Sequence, residues 1–212
     1  MGNKFAYIVS LIMTFTVTEV SAAGDASAGA QKVQTCAVCH GPNGNSVNPV
    51  WPKLAGQHPE YTVKQLQNFK DGVRQDPQMT PMASTLSQQD MQDVAAYYAE
   101  QTLQETPIPA STETVVIALG EIIYRAGDVE SGLPACMACH GPAASGNPVA
   151  MYPGLAGQHA AYTAVQLQAF KAETRNNDTN NMMRDIAGKM STEQIEAVSL
   201  FIQGLSQDAT AE

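Results

Sequence analysis

The chain has 212 residues, a net charge of −9 at neutral pH and 44% hydrophobic content. That is enough apolar material for one ordinary domain or two small ones. Nucleic acid and anionic membrane surfaces are poor partners for so acidic a chain.

Residues 1–22 carry one early charge, Lys4, then an apolar run from Phe5 to Val17 and small residues, Val20-Ser21-Ala22, at cleavage-site spacing. This reads as a secretory signal peptide cut after Ala22. An uncleaved anchor fits less well, because the run is short for a bilayer and is interrupted by Thr14 and Thr16. The rest of the chain is expected to be exported and soluble.

A helix carrying Gly29 and Val33 is predicted next, leading into Cys36-Ala37-Val38-Cys39-His40. Cys-x-x-Cys-His is the attachment signature of c-type haem: two thiols add across the porphyrin vinyl groups and the adjacent imidazole reaches the iron. The pentapeptide returns as Cys136-Met137-Ala138-Cys139-His140, and both copies continue Gly-Pro. A zinc ribbon would bring its Cys pairs together over a short segment, whereas these pairs lie a domain apart. A thioredoxin-like pair would follow a strand in a βαβ pattern, which is not seen. The two motifs use all four cysteines and leave none for a disulfide. Two covalent haem c groups are expected, on Cys36 and Cys39 and on Cys136 and Cys139, with His40 and His140 on the irons.

The motif belongs to a longer repeat. Pro52-Lys53-Leu54-Ala55-Gly56-Gln57-His58 recurs as Pro153-Gly154-Leu155-Ala156-Gly157-Gln158-His159, and Tyr61-Thr62 with Gln65-Leu66 recurs as Tyr162-Thr163 with Gln166-Leu167. The repeat is too long for a solenoid unit, and one haem per copy makes it a domain. Residues 23–104 and 113–212 are the expected domains, joined by a linker at 105–112 that Pro107 and Pro109 stiffen.

Both copies read as all-α, with no strand-like alternation. The middle helix starts near Pro59 and puts Val63, Leu66 and Phe69 in the core; Val165 or Leu167 with Phe170 match them in the second copy. Ser87 and Ser191 open the last helices, whose apolar faces are Met91, Val94, Ala95, Tyr98 and Ile195, Val198, Ile202, Leu205. Gly120 and Tyr124 stand where the first copy has Gly29 and Val33. A small residue one turn before a bulky one lets a partner helix come close. The stretch before Cys136 is longer than its counterpart and carries Gly127, Gly132 and Pro134, which predicts a surface loop.

The second axial ligand separates a carrier from an enzyme. Aligning Ser87 with Ser191 sets Met79 opposite Met183, whereas Met82 faces Ile186, Met190 faces Leu86 and Met182 faces Gln78. Met79 and Met183 are therefore the expected distal ligands, and the other methionines core filler. His58 and His159 also match, which keeps a bis-His alternative open. Each follows its haem motif too closely to wrap round the ring with ease, so a hydrogen-bonding role at the surface is expected instead.

Tandem Cys-x-x-Cys-His domains behind a signal peptide, Pro-x-Leu-Ala-Gly-Gln after each, and a late Met before a capped last helix resemble the dihaem cytochrome c4 family along the whole exported chain. The resemblance implies two class I cytochrome c domains meeting across a pseudo-two-fold interface, with His40/Met79 and His140/Met183 ligation. It also implies that the Pro52 and Pro153 carbonyls accept the far proton of each proximal His. The implied role is a monomeric periplasmic electron carrier from a cytochrome bc complex to a haem-copper terminal oxidase of the cbb type, with peripheral membrane association left open. The residues agree on carriage: Met on both irons closes them to substrate, and no catalytic group is required, so no enzyme is expected. Two readings compete, an electron-transfer subunit of a larger dehydrogenase and a dihaem peroxidase, which needs unlike sites.

Overall fold

The structure, a computed structural model, describes residues 24–206, so the expected signal peptide lies outside the described residues. Five helices form the first half: α1 (Ala26–Lys32), α2 (Gln34–His40), α3 (Pro59–Lys70), α4 (Met79–Ser84) and α5 (Gln88–Ala99). Five more repeat the order: α6 (Thr114–Arg125), α7 (Met137–His140), α8 (Ala160–Lys171), α9 (Met182–Gly188) and α10 (Thr192–Gln203). Among the described residues, extended pairing is limited to two isolated bridges, Asp128 with Leu133 and Asn147 with Tyr152. The fold is all-α, as expected.

The predicted first helix comes in two segments, α1 and α2, which meet at Val33. Hydrogen bonding carries through the joint, from the Val33 N–H to the Gly29 carbonyl (3.1 Å) and from the Ala37 N–H to the Val33 carbonyl (2.8 Å). In each half this helix packs on the last one, α1 on α5 and α6 on α10. The glycines make the approach possible. A Cβ at Gly29 would lie 2.1 Å from the Asp93 carbonyl oxygen, and one at Gly120 would lie 2.2 Å from that of Ala197.

One turn further along, the two halves solve the same packing problem with opposite residues. Val33, at the joint of α1 and α2, packs with Tyr98 on α5, whereas Tyr124 on α6 packs in one core with Ile202 on α10. All four are buried. A close-packed core tolerates this exchange because the summed volume across the helix pair is kept.

Both last helices begin with a full capping box. The Ser87 hydroxyl accepts from the Asp90 N–H (3.1 Å) while the Asp90 carboxylate accepts from the Ser87 N–H (2.9 Å). Ser191 and Gln194 repeat the arrangement at 3.1 and 2.8 Å. Each cap contributes about 1 kcal/mol. Leu66 and Phe69 are buried on α3, and of the two candidates on α8 it is Leu167 that packs inward, Val165 being exposed.

The insertion before Cys136 is the surface loop expected, with residues 129–132 exposed, and one of its residues is anchored inward. Asp128 and Leu133 exchange backbone hydrogen bonds (2.9 and 2.8 Å), and Leu133 is buried in the second core. Burial of Leu133 pulls the base of the loop inward, while Val129 at its tip is exposed. Residues 101–113 run without helix between the halves. The Gln104 N–H donates to Asn45 (2.7 Å) and the Gln203 side chain donates to the Pro107 carbonyl (3.1 Å), so the connection is fastened to both.

The exchanged pair generates a prediction. Val33→Tyr alone overpacks the first core and Tyr98→Ile alone leaves a cavity, each lowering stability by about 1–3 kcal/mol. In the double variant the losses are expected to be strongly sub-additive, as read by chemical denaturation of the haem-loaded chain.

Candidate haem sites and the interface between them

Cys36, Cys39 and His40 sit at i, i+3 and i+4 of α2, which puts two sulfurs and an imidazole on one helix face. Cys136, Cys139 and His140 repeat this around α7. Gly41 (φ 79°) and Gly141 (φ 80°) end these helices in the left-handed region and turn the chain back under its own histidine. The Leu54 and Ala55 N–H groups then bond to the Gly44 carbonyl (2.7 and 3.2 Å), and those of Leu155 and Ala156 bond to Ala144 at the same distances. This return presents a proline carbonyl to each ring.

His40 Nδ1 donates to the Pro52 carbonyl at 2.8 Å, and His140 Nδ1 donates to that of Pro153 at 3.0 Å. Both rings are buried, and burial pulls both below the ordinary histidine value despite the proline bond. Each ring is therefore neutral with its proton on Nδ1, which leaves the Nε2 lone pair to bind a metal. Burial also raises the Cys36 thiol, and it pushes Cys136 up to about 11. These surroundings suit a neutral sulfur, which a thioether is and a zinc-bound thiolate is not. The Tyr98 hydroxyl is buried beside the Cys36 sulfur. The donor set fits haem c in both halves.

Met79 opens α4, where its N–H donates to Asp76 (2.8 Å), and its side chain lies against Leu66, Phe69, Ala83 and Met91. Met183 is half-buried on α9. An aromatic residue links each of these helices to the proximal wall. Trp51 Nε1 donates to the Gln78 side chain at 3.2 Å, and the Tyr152 hydroxyl donates to the Met182 sulfur at 3.5 Å. The Tyr152 ring lies 6.1 Å from that of His140. These two contacts occupy equivalent places in the repeat, and Met79 and Met183 are the residues that follow Gln78 and Met182. Met182 already serves Tyr152. Met91 and Met190 are buried filler, whereas Met82 is exposed and so is not the core residue expected.

His58 and His159 belong to the contact between the halves. His58 Nε2 lies 2.8 Å from the Ser145 carbonyl, and His159 Nε2 lies 2.9 Å from that of Ser46 and 3.0 Å from its hydroxyl. The surface role expected of this pair is corrected for His159, which is buried by the opposite half. Each His follows a glutamine that also crosses over, Gln57 to Gly154 and Gln158 to Lys53.

Sequence reasoning missed Arg74 and Arg175, although they recur at the same offset as the surrounding motif. Arg74 donates to Gln65 (2.8 Å), Gln166 (2.8 Å) and Tyr162 (3.1 Å), and Arg175 donates to Gln166 (2.7 Å), Gln65 (3.2 Å) and Tyr61 (3.1 Å). Both are buried, stacked on Phe69 and Phe170, and neither has a carboxylate within ion-pair range among the described residues. Burial would raise the Tyr61 hydroxyl, but the Arg175 and Arg74 charges outweigh it and lower it. Two cations satisfied only by neutral acceptors suit an anionic group.

Known proteins match the chain along both halves. The family model "Cytochrome c" matches residues 26–101 and 118–206. Cytochrome c4 of Thiocapsa roseopersicina is 51% identical over 186 residues, 87% of this chain and 94% of the relative. The crystal structure of reduced recombinant cytochrome c4 from Pseudomonas stutzeri superposes with a TM-score of 0.82 at 44% identity, over 87% of this chain and all (100%) of the other. A thiosulfate dehydrogenase electron acceptor of Stutzerimonas stutzeri is 37% identical over 84% of this chain and 82% of the relative.

Burial lowers the folded-state pKa of His159, with the nearby Lys53 charge adding to it and the Ser46 bond opposing it. A depressed histidine is neutral when folded. Its contribution is therefore complete above the unfolded value of about 6.5 and is lost as pH falls below it. Thermal unfolding of the haem-loaded protein is expected to show this acid loss, and His159→Gln is expected to flatten the profile between about pH 7 and pH 5.

Proposed function

We propose that this chain, which belongs to the cytochrome c family and within it to the dihaem cytochrome c4 family, carries single electrons between protein partners in the periplasm. Its two domains hold covalently bound haem c. In our reading Cys36 and Cys39 anchor one group and Cys136 and Cys139 the other, His40 and His140 bind the irons through Nε2, and Met79 and Met183 close the opposite faces. When bound, each haem supplies a one-electron iron couple; the chain supplies anchoring, orientation and a buried setting. Arg74 and Arg175 would supply positive charge for the haem propionates.

The likeness of the two sites is the observation that carries this reading. Each proximal ring is held by the same proline carbonyl, and each site has a methionine in the same register. An enzyme acting on peroxide at one iron needs that iron open and the two sites different, which the matched residues do not favour. Soft thioether ligation also raises the potential, as suits a carrier on the oxidising side of a respiratory chain.

In our reading, which follows the family resemblance, the donor is a cytochrome bc complex and the acceptor a haem-copper oxidase of the cbb type. A second reading has a specific support. The relative described as a thiosulfate dehydrogenase electron acceptor suggests that this chain takes electrons from a dehydrogenase, as a free acceptor or a bound subunit. Purification from a periplasmic extract separates these, since a stoichiometric dehydrogenase partner favours the subunit and a free monomer counts against it. Among the described residues no helix is long and apolar enough to cross a membrane.

The oxidised protein is expected to show the weak long-wavelength charge-transfer band of ferric Met-ligated haem at two-haem intensity, and the reduced protein to ignore carbon monoxide. Met79→Ala and Met183→Ala should each remove about half of that band and open one iron to carbon monoxide. High-spin haem in the unsubstituted protein would move the peroxidase reading to the front.

A further inference from the structure

The peptide unit between Pro52 and Lys53 is engaged at both ends. Its carbonyl accepts the His40 Nδ1 proton at 2.8 Å, and its N–H donates to the Gln158 side-chain oxygen, in the opposite half, at 2.9 Å. The unit between Pro153 and Gly154 does the same in reverse: its carbonyl accepts from His140 at 3.0 Å and its N–H donates to Gln57 at 3.0 Å. Both glutamines return a second bond. Gln158 Nε2 donates to the Lys53 carbonyl and Gln57 Nε2 to that of Gly154, each at 2.9 Å. The side-chain oxygens are steadied by the N–H of the next residue, His58 or His159, at 3.0 Å.

The two ends of an amide are electronically coupled. An acceptor on the N–H shifts density towards the carbonyl oxygen, so hydrogen bonds in a chain strengthen one another. A stronger carbonyl acceptor draws the Nδ1 proton and makes the imidazole a more basic ligand. A more basic axial ligand favours ferric iron and lowers the potential.

We propose that Gln57 and Gln158 are crossed tuning residues: each sets the potential of the haem held by the opposite half, acting through the proline peptide that orients its proximal histidine. The proposal rests on the reading of His40 and His140 as axial ligands. The relay uses only the backbone of Lys53 and Gly154, so it tolerates their difference in side chain, that of Lys53 being spent on the Gln104 carbonyl. It also makes each potential a report on whether the halves are docked. Separating them removes both acceptors and raises both potentials.

The test uses Gln57→Met and Gln158→Met in the full haem-loaded chain, which keep side-chain length and remove both polar atoms. Potentials are read haem by haem, from NMR redox titrations of haem methyl signals assigned to each half. Gln158→Met should raise the potential of the haem on Cys36 and Cys39 and leave the other in place; Gln57→Met should raise that of the haem on Cys136 and Cys139 alone. Equal shifts at both haems, a shift confined to the variant's own half, or no shift would overturn the proposal, since a merely adhesive glutamine produces one of these. A second measurement needs no variant. In the reduced unsubstituted protein, a coupling across the hydrogen bond should join the Lys53 amide nitrogen to the Gln158 side-chain carbonyl carbon, and Gly154 likewise to Gln57. Absence of both couplings overturns the relay even if the variants fail to fold. Failure of the ligand reading shows elsewhere, as missing axial-histidine signals in the oxidised unsubstituted protein, whereas failure of the relay leaves those signals intact.

Discussion

A neutral imidazole can bind iron at one nitrogen only if the other nitrogen keeps its proton and has somewhere to put it. In this protein that place is a proline carbonyl, 2.8 Å from His40 and 3.0 Å from His140. Much of the local chain serves to deliver it. The glycines after each haem motif reverse the backbone, the turn at Gly44 or Ala144 gathers the N–H groups of the returning strand, and the proline arrives with no N–H of its own to satisfy. The second half pays for the same turn with an alanine at φ 56°, a cost of about 1 kcal/mol that the surrounding hydrogen bonds offset.

Duplication preserved this frame and let the filling drift. The ring beside the first cysteine comes from the last helix in one half and from the first helix in the other, as Tyr98 and Tyr124. Glu173, in the left-handed region at φ 58°, stands where the first half has Gly72 at φ 72°. What did not drift is backbone approach at Gly29 and Gly120, because a Cβ there would meet a carbonyl oxygen rather than a movable side chain.

Much of the interface is made of reciprocal polar contacts that occur twice with the halves exchanged, whereas Asn177, which donates to Gln65 and Asn68, has no counterpart. Gln57 and Gln158 hold backbone, His58 and His159 reach Ser145 and Ser46, and Arg74 and Arg175 share the amides of Gln65 and Gln166. Individually such bonds stabilise by about 0.5–1.5 kcal/mol, but a satisfied network specifies one docking geometry more sharply than apolar contact would. For a dihaem electron carrier, a fixed geometry of the two halves matters. It also places the peptide bonded to His40 or His140 against a glutamine of the other half.

The haem chemistry and the helical frame were legible in the order of residues along the chain. Cys-x-x-Cys-His is a local covalent signal, the capped last helices and the Gly-to-bulky spacing are local patterns, and the repeat was legible because both copies lie in one chain. The pairing of Met79 with Met183 could also be read, since register survives duplication. Where the matched residues without local chemistry act depends on how the two halves pack. His159 was placed at the surface by reasoning from one domain and is buried by the other, and Met82 was placed in a core it does not enter. Arg74 and Arg175 passed unnoticed because a surface arginine and a buried one look alike in sequence. Gln57 and Gln158 gain their meaning from partners about a hundred residues away. Periodicity reports the burial of one helix face against its own domain; it holds no information on what a second domain will cover.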